Sequence, residues 1–179
     1  EFTAYTIKST DIILSAPVSS ASGVSNVIKN SGSLTTNGIE FALGITPVRT
    51  KDFNWTSTFN FTSFRSVVDE LAPGVSNIFL GGFVTPNTRL VAGDEYGQLY
   101  GSDYRKDSLG RLLLNANGLP TPTTNVVKIG NPNPRYLLGI NNEFNYKGWN
   151  LSVLLDIKVG GQQYSRNLAD IQRNGVGEE

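Results

Sequence analysis

The chain has 179 residues with no His, Cys or Met, and its 15 Lys and Arg balance 15 Asp and Glu. Without His or Cys it has no parts for thiolate, zinc–imidazole or Ser-His-Asp chemistry, and zero formal net charge argues against a nucleic-acid partner, which needs a basic patch. No apolar run approaches the roughly 18 residues of a transmembrane helix, a test that does not touch β-barrels, whose strands are apolar only at alternate positions.

Five segments alternate with period two. In Glu1–Ser15, Tyr5 and Ile7 alternate with Ala4, Thr6 and Lys8. In Gly38–Thr46, Ile39, Phe41, Leu43 and Ile45 share one face. In Phe53–Thr62, Phe53, Trp55, Phe59 and Phe61 share a face that Ser57 interrupts. In Tyr136–Tyr146, Tyr136, Leu138, Ile140 and Phe144 share theirs with Asn142. In Trp149–Lys158, Trp149, Leu151, Val153, Leu155 and Ile157 stand together. Strand side chains point alternately to opposite faces, so each segment has one apolar and one polar wall. Ser165–Arg173 is the one candidate for a helical turn or two.

The segments are about 9–11 residues long, the length of a tilted membrane-spanning strand and longer than the usual soluble strand. Short connections at Pro47–Asp52 and Lys147–Gly148 alternate with long ones at Ala16–Asn37 and Ser63–Arg135. Short turns on one side and long loops on the other are the pattern of outer-membrane barrels. Phe53, Trp55, Tyr146 and Trp149 sit beside the short turns, where an interfacial aromatic girdle belongs. The fold class expected is therefore all-β: antiparallel transmembrane β-barrel strands, a partial barrel over residues 1–179, with short periplasmic turns and a long extracellular loop at 63–135. The rival is a soluble cell-surface β-sandwich, a glycan-binding or adhesin-like module, whose apolar faces would have to pack on each other.

Few residues point to chemistry. Asp11, Glu40, Glu143 and Asp156 are spread over polar faces and read as solvated wall residues, not as a catalytic pair. Asp103, Asp107 and Asn115–Asn117 fit no calcium-loop spacing. No enzyme activity, metal or cofactor is expected. Asn30-Ser31-Gly32 and Asn37-Gly38 read as turns, since Asn and Gly tolerate positive φ. Tyr96, Tyr100 and Tyr104 are the candidate ligand or partner contacts in the long loop. Tyr offers an apolar ring with a polar tip, although packing the loop onto its own barrel competes with that role.

Several ordered motifs resemble one family. Tyr5 to Leu14 is similar to the strand "Y-x-K-x-T-x-D-(I/L)-(I/L)-L" of SusC/RagA-type TonB-dependent outer-membrane transporters of Bacteroidetes. Asn30 to Glu40 resembles their "N-x-G-x-x-x-N-x-G-(I/V)-E", and Glu95 to Gly101 their "G-x-x-x-G-x-x-Y-G" loop. Ile129 to Pro134 looks like "(I/L)-G-(N/S)-x-x-P". Phe144 to Ser152 matches the hairpin "F-x-Y-K-G-(F/W)-x-L-S", and Gly160 to Tyr164 the following "G-G-x-x-Y". The resemblance covers nearly the whole chain and implies the later part of the barrel, with the plug and closing strands outside it. Together with the absent Met and the strand that opens at Glu1, it leads us to expect cuts through a longer chain at both ends. It further implies nutrient import across the cell outer membrane, with oligosaccharide or peptide as substrate. The partners it implies are a SusD-like lipoprotein, TonB acting through the missing N-terminal part, and outer-membrane lipid.

Overall fold

The computed structural model describes every residue except Ser20, Ser22, Ser31, Val84, Glu178 and Glu179. Ser31, in the centre of the expected Asn30–Gly32 turn, thus lies outside the described residues. The main sheet has five antiparallel strands in the order β1 (Phe2–Ser9), β4 (Gly32–Arg49), β5 (Phe53–Leu71), β10 (Pro134–Tyr146) and β11 (Trp149–Gly160). A hairpin of β2 (Ile13–Pro17) and β3 (Asn26–Asn30) branches off after β1. A four-stranded sheet of β6 (Ile78–Gly82), β7 (Asn87–Leu90), β8 (Gln98–Gly101) and β9 (Val127–Gly130) occupies the long connection.

The register turns the alternation of single strands into continuous rows. Phe2 faces Phe41, Phe41 faces Phe61, Phe61 faces Leu138, and Leu138 faces Ile157. Below them run Leu43, Phe59, Ile140 and Leu155, and lower still Trp55, Phe144 and Leu151. Among the described residues no second sheet covers this apolar face. Trp149 is 80% exposed, Leu151 58% and Leu155 51%. The sandwich alternative would bury these residues, and it fails here.

Aromatic pairs mark both ends of the band. Trp55 stacks on Phe144 at 5.7 Å near the short turns, and Phe61 lies 5.5 Å from Tyr136 at the other end. From Trp149 to Val159 the strand climbs roughly 33 Å at about 3.3 Å per residue. A tilt of about 40° reduces that to roughly 25 Å, the height of the apolar band in outer-membrane barrels.

The short turns follow from local chemistry. Thr50 N–H donates to the Phe53 carbonyl at 2.7 Å, closing the β4–β5 hairpin. Lys147 and Gly148 both take positive φ, 45° and 90°, the two-residue hairpin geometry that matches strand twist. The helix α1 (Arg166–Arg173) forms where the sequence indicates, with Ser165 Oγ accepting from Leu168 N–H as N-cap.

Four expectations need correction. The first segment is not one strand to Ser15: the chain breaks at Asp11, φ 55°, and β2 leaves the sheet to pair with β3. The long connection starts later than Ser63, because β5 runs on to Leu71 paired with β4. The Ala16–Asn37 stretch is not all loop, since it holds β3 and the start of β4. Asn37-Gly38 is not a turn but lies inside β4, opposite Thr6 and Tyr5; Gly38 is there because a neighbouring ring needs the space its side chain would fill.

The buried core is small and sits at the loop end. Val68 of β5, Ile78 of β6 and Leu90 of β7 are each 1% exposed, and Leu14, Leu34, Leu71, Val75 and Leu80 pack around them. Val68 and its partner Leu34 follow the parity of the polar face, so the loop sheet lies against that side of the extended β4–β5 tip.

Candidate functional site

Two features beyond the apolar band rise above plain architecture. The first is a polar latch joining the long loop to the wall. At its tip β5 pairs with the loop instead of β10. Val68 N–H donates to the Asp94 carbonyl at 2.9 Å, Gly93 N–H to the Val68 carbonyl at 2.8 Å, and Tyr96 N–H to the Ser66 carbonyl at 2.9 Å. Glu95 then accepts from Arg65 Nε at 2.7 Å and from Asn131 Nδ2 at 2.7 Å. Gln162 closes the ring: its N–H donates to the Asn131 carbonyl at 2.8 Å, and its Oε1 accepts from Asn131 N–H at 2.8 Å. A hollow of about 370 Å³ lies among Arg65, Asp94, Glu95, Lys128, Asn131 and Gln162.

Asp94 is the charge at the centre of the latch. It accepts from the Tyr100 hydroxyl and from Lys128 Nζ. Burial pushes its carboxyl up, but the Lys128 ammonium and the Tyr100 hydrogen bond outweigh that and hold it below the ordinary range. The Tyr100 hydroxyl is pushed well above its usual value by burial and by the Asp94 carboxylate. Asp94 is therefore ionised and Tyr100 protonated near neutrality, the states in which their hydrogen bond is strongest.

The three candidate tyrosines do not converge. Tyr100 is 8% exposed and its hydroxyl is committed to Asp94. Tyr96 keeps a half-open ring while its backbone carbonyl accepts from Asn133 Nδ2 at 2.9 Å. Tyr104, 51% exposed, stands on a separate ribbon bridged to Pro122. Sequence reasoning singled out the tyrosines and passed over Arg65, Asp94 and Lys128. The signal for part of the latch was nonetheless on the page, since Glu95, Asn131 and Gln162 each sit in a quoted motif.

The second feature is the polar face of the main sheet. Its rows run Thr3, Glu40, Thr62, Leu137 and Lys158, then Ala42, Asn60, Gly139 and Asp156, then Thr58, Asn141 and Leu154. One sheet is thus apolar on one side and largely polar on the other, and among the described residues only the polar side of the β4–β5 tip is covered, by the loop sheet.

No protein-family model matches the chain. It is 28% identical over 194 residues to TonB-dependent receptor P3 of Formosa agariphila, a match that covers 95% of this chain and 19% of that protein. TonB-dependent receptor P26 of the same organism is 28% identical, with 92% of this chain and 19% of the relative covered. Among solved structures, the RagAB peptide importer in its closed-closed state superposes with a TM-score of 0.67 at 21% identity, over 89% of this chain and 19% of the matched chain. The open-open state gives 0.66 at 20% identity. The chain is similar in sequence to TonB-dependent receptors and shares the fold of the RagAB importer's barrel wall. It spans about a fifth of the relatives' length. Its setting is the outer membrane, and that fixes the meaning of the two faces. In a SusC/RagA-type wall the apolar rows meet lipid, the Glu40–Lys158 side faces the lumen, and the long loops lie outside the cell.

Proposed function

We propose that this chain forms part of the wall of a TonB-dependent importer that carries oligosaccharides or peptides across the outer membrane. A SusD-like lipoprotein would meet it at the loop side and TonB would act through other parts of the protein. The observation that carries the reading is the uncovered band from Phe2–Phe41–Phe61 down to Trp149, about as tall as the hydrocarbon it would meet. The kinship to TonB-dependent receptors and to the RagAB peptide importer supports it. Tyr96 and Tyr104, the exposed loop tyrosines, are the proposed partner or ligand contacts outside the membrane.

Arginine substitution on the two faces of β5 tests the reading in the full-length transporter. Phe59→Arg places a charge in lipid and is expected to cost about 2–4 kcal/mol, whereas Thr58→Arg points into the lumen and is tolerated. Quantifying heat-modifiable, folded protein in outer-membrane fractions gives the answer. Equal yields for the two variants would remove the lipid-facing assignment and the importer reading with it.

A further inference from the structure

Two motifs quoted far apart in the sequence meet in the sheet. Tyr5 of β1 is the cross-strand partner of Gly38 of β4, and Phe64 of β5 is the partner of Gly38 on the other side. The alternation that sends Phe2, Phe41 and Phe61 to lipid sends Tyr5 and Phe64 to the lumen. The three residues form one row, just above the Thr3–Glu40–Thr62 row and beyond the upper edge of the lipid band. A Cβ added at Gly38 would lie 2.3 Å from Tyr5 Cζ and 2.4 Å from its hydroxyl oxygen. The tyrosine ring therefore does not stand out from the wall. It bends along it, one face on the Gly38 backbone and the other open to the lumen. Covering a strand glycine with an aromatic is a known way to shield backbone, which accounts for Tyr5. It does not account for Phe64, 45% exposed on a face that is otherwise largely Thr, Asn, Ser and charge. Nor does it use the Tyr5 hydroxyl, which makes no hydrogen bond among the described residues.

We propose that Tyr5, Phe64 and Glu40 form a contact site for a pyranose ring of an oligosaccharide at the extracellular mouth of the lumen. This rests on the importer reading and names the substrate class at one place in it. The open face of a ring lying flat on a wall matches the C–H face of a sugar. The Glu40 carboxylate and the Thr3 and Thr62 hydroxyls, in the next row of the same face, are placed to take hydrogen bonds from the ring hydroxyls. An extended peptide held by its main chain needs a free strand edge, and β4 is paired on both sides at Gly38. This part of the wall offers side chains, not backbone.

The test uses the full-length transporter in detergent. Saturation-transfer NMR and calorimetry would be run with maltohexaose, cellohexaose and laminarihexaose, and in parallel with a tryptic peptide mixture. At least one hexasaccharide is expected to bind, with affinity falling about tenfold or more in Tyr5→Ala and in Phe64→Ala. Gly38→Ala, which keeps the ring but pushes it off the wall, should weaken binding as well. Tyr5→Phe retains most of it, and Ile39→Ala on the opposite face leaves it unchanged. Binding of no hexasaccharide, sugar binding indifferent to Tyr5 and Phe64, or binding of peptides alone overturns the site. Membrane yields of each variant separate lost contact from lost fold. Failure of the importer reading is distinct: the protein would then be missing from the outer-membrane fraction, whereas failure of this site alone leaves it there and importing.

Discussion

Asp94 and Lys147 show how single residues carry this fold. Lys128 and Tyr100 hold the Asp94 carboxyl, net of its burial, below the ordinary range. A carboxyl depressed in the folded state adds stability that is present above its unfolded value and lost as pH falls through the folded value. The loop is thus expected to stay latched at neutral pH and to loosen once the medium falls below about pH 4. The amides that report it are those of Gly93, Tyr96 and Val68, whose bonds tie loop to strand. Hydrogen exchange at these three, corrected for its intrinsic pH dependence, should accelerate on acidification. Asp94→Asn should accelerate it about tenfold or more already at pH 7, since hydrogen bonds to charged groups are worth about 1.5–3 kcal/mol. Unchanged protection in the variant would show that the backbone pairing holds the loop without the charge. At the opposite end of the barrel, Lys147 sits at φ 45° in the β10–β11 turn. A long side chain gains nothing from that conformation, while Asn tolerates it. Lys147→Asn should stabilise the barrel by about 0.5–1 kcal/mol, and Gly148→Ala, at φ 90°, should cost about 1–2 kcal/mol in urea unfolding.

Between strands, the lipid face has a flaw that the sheet repairs. Ser57 interrupts the apolar alternation of β5 and Asn142 that of β10, and the register sets them opposite each other. Asn142 Oδ1 accepts from Trp55 Nε1 at 3.1 Å, and Ser57 is buried beside them. An indole N–H near hydrocarbon needs such a partner. Asn142→Leu strands it and should destabilise the barrel by about 1–3 kcal/mol despite making the face more apolar. The double variant Trp55→Phe with Asn142→Leu removes both polar groups and should recover much of that loss; additivity in this cycle would mean that the two side chains do not interact. This pairing also marks what the sequence could and could not tell. Alternation located Phe53–Thr62, Tyr136–Tyr146 and Trp149–Lys158, and Lys147-Gly148 located a hairpin, because those signals are local. The tip of β5 was hidden since Phe64 turns to the lumen while Val67 and Val68 are apolar on successive faces, which breaks the period. Gly38 read as a turn residue because its reason for being Gly, the Tyr5 ring, lies on another strand. The Asp94–Lys128 pair is 34 residues apart, and only the folded loop brings it together.

For the whole chain the main sheet poses a solvation problem of two kinds. Its apolar face carries Phe41, Leu43, Leu151 and Leu155 into open surroundings, far more contiguous apolar surface than a water-soluble monomer leaves uncovered. Among the described residues its outer strands β1 and β11 each pair on one side only, leaving rows of N–H and C=O groups without a strand partner. Closed outer-membrane barrels need about eight strands or more, so five cannot remove those edges by curling. The buried cluster around Val68, Ile78 and Leu90 is confined to the loop end and leaves the lower strands without a core of their own. Two consequences follow for these 179 residues expressed alone. In water they should associate through edges and apolar faces into high-mass species. In a detergent whose micelle covers the apolar band the association should fall but not vanish, because detergent tails cannot hydrogen-bond a strand edge. Light scattering coupled to size exclusion, with and without detergent, separates the two contributions. A monodisperse 19.4 kDa monomer in plain buffer, unfolding cooperatively, would mean that the chain buries its apolar rows in a way this sheet does not allow, and the lipid-facing assignment would fall with it.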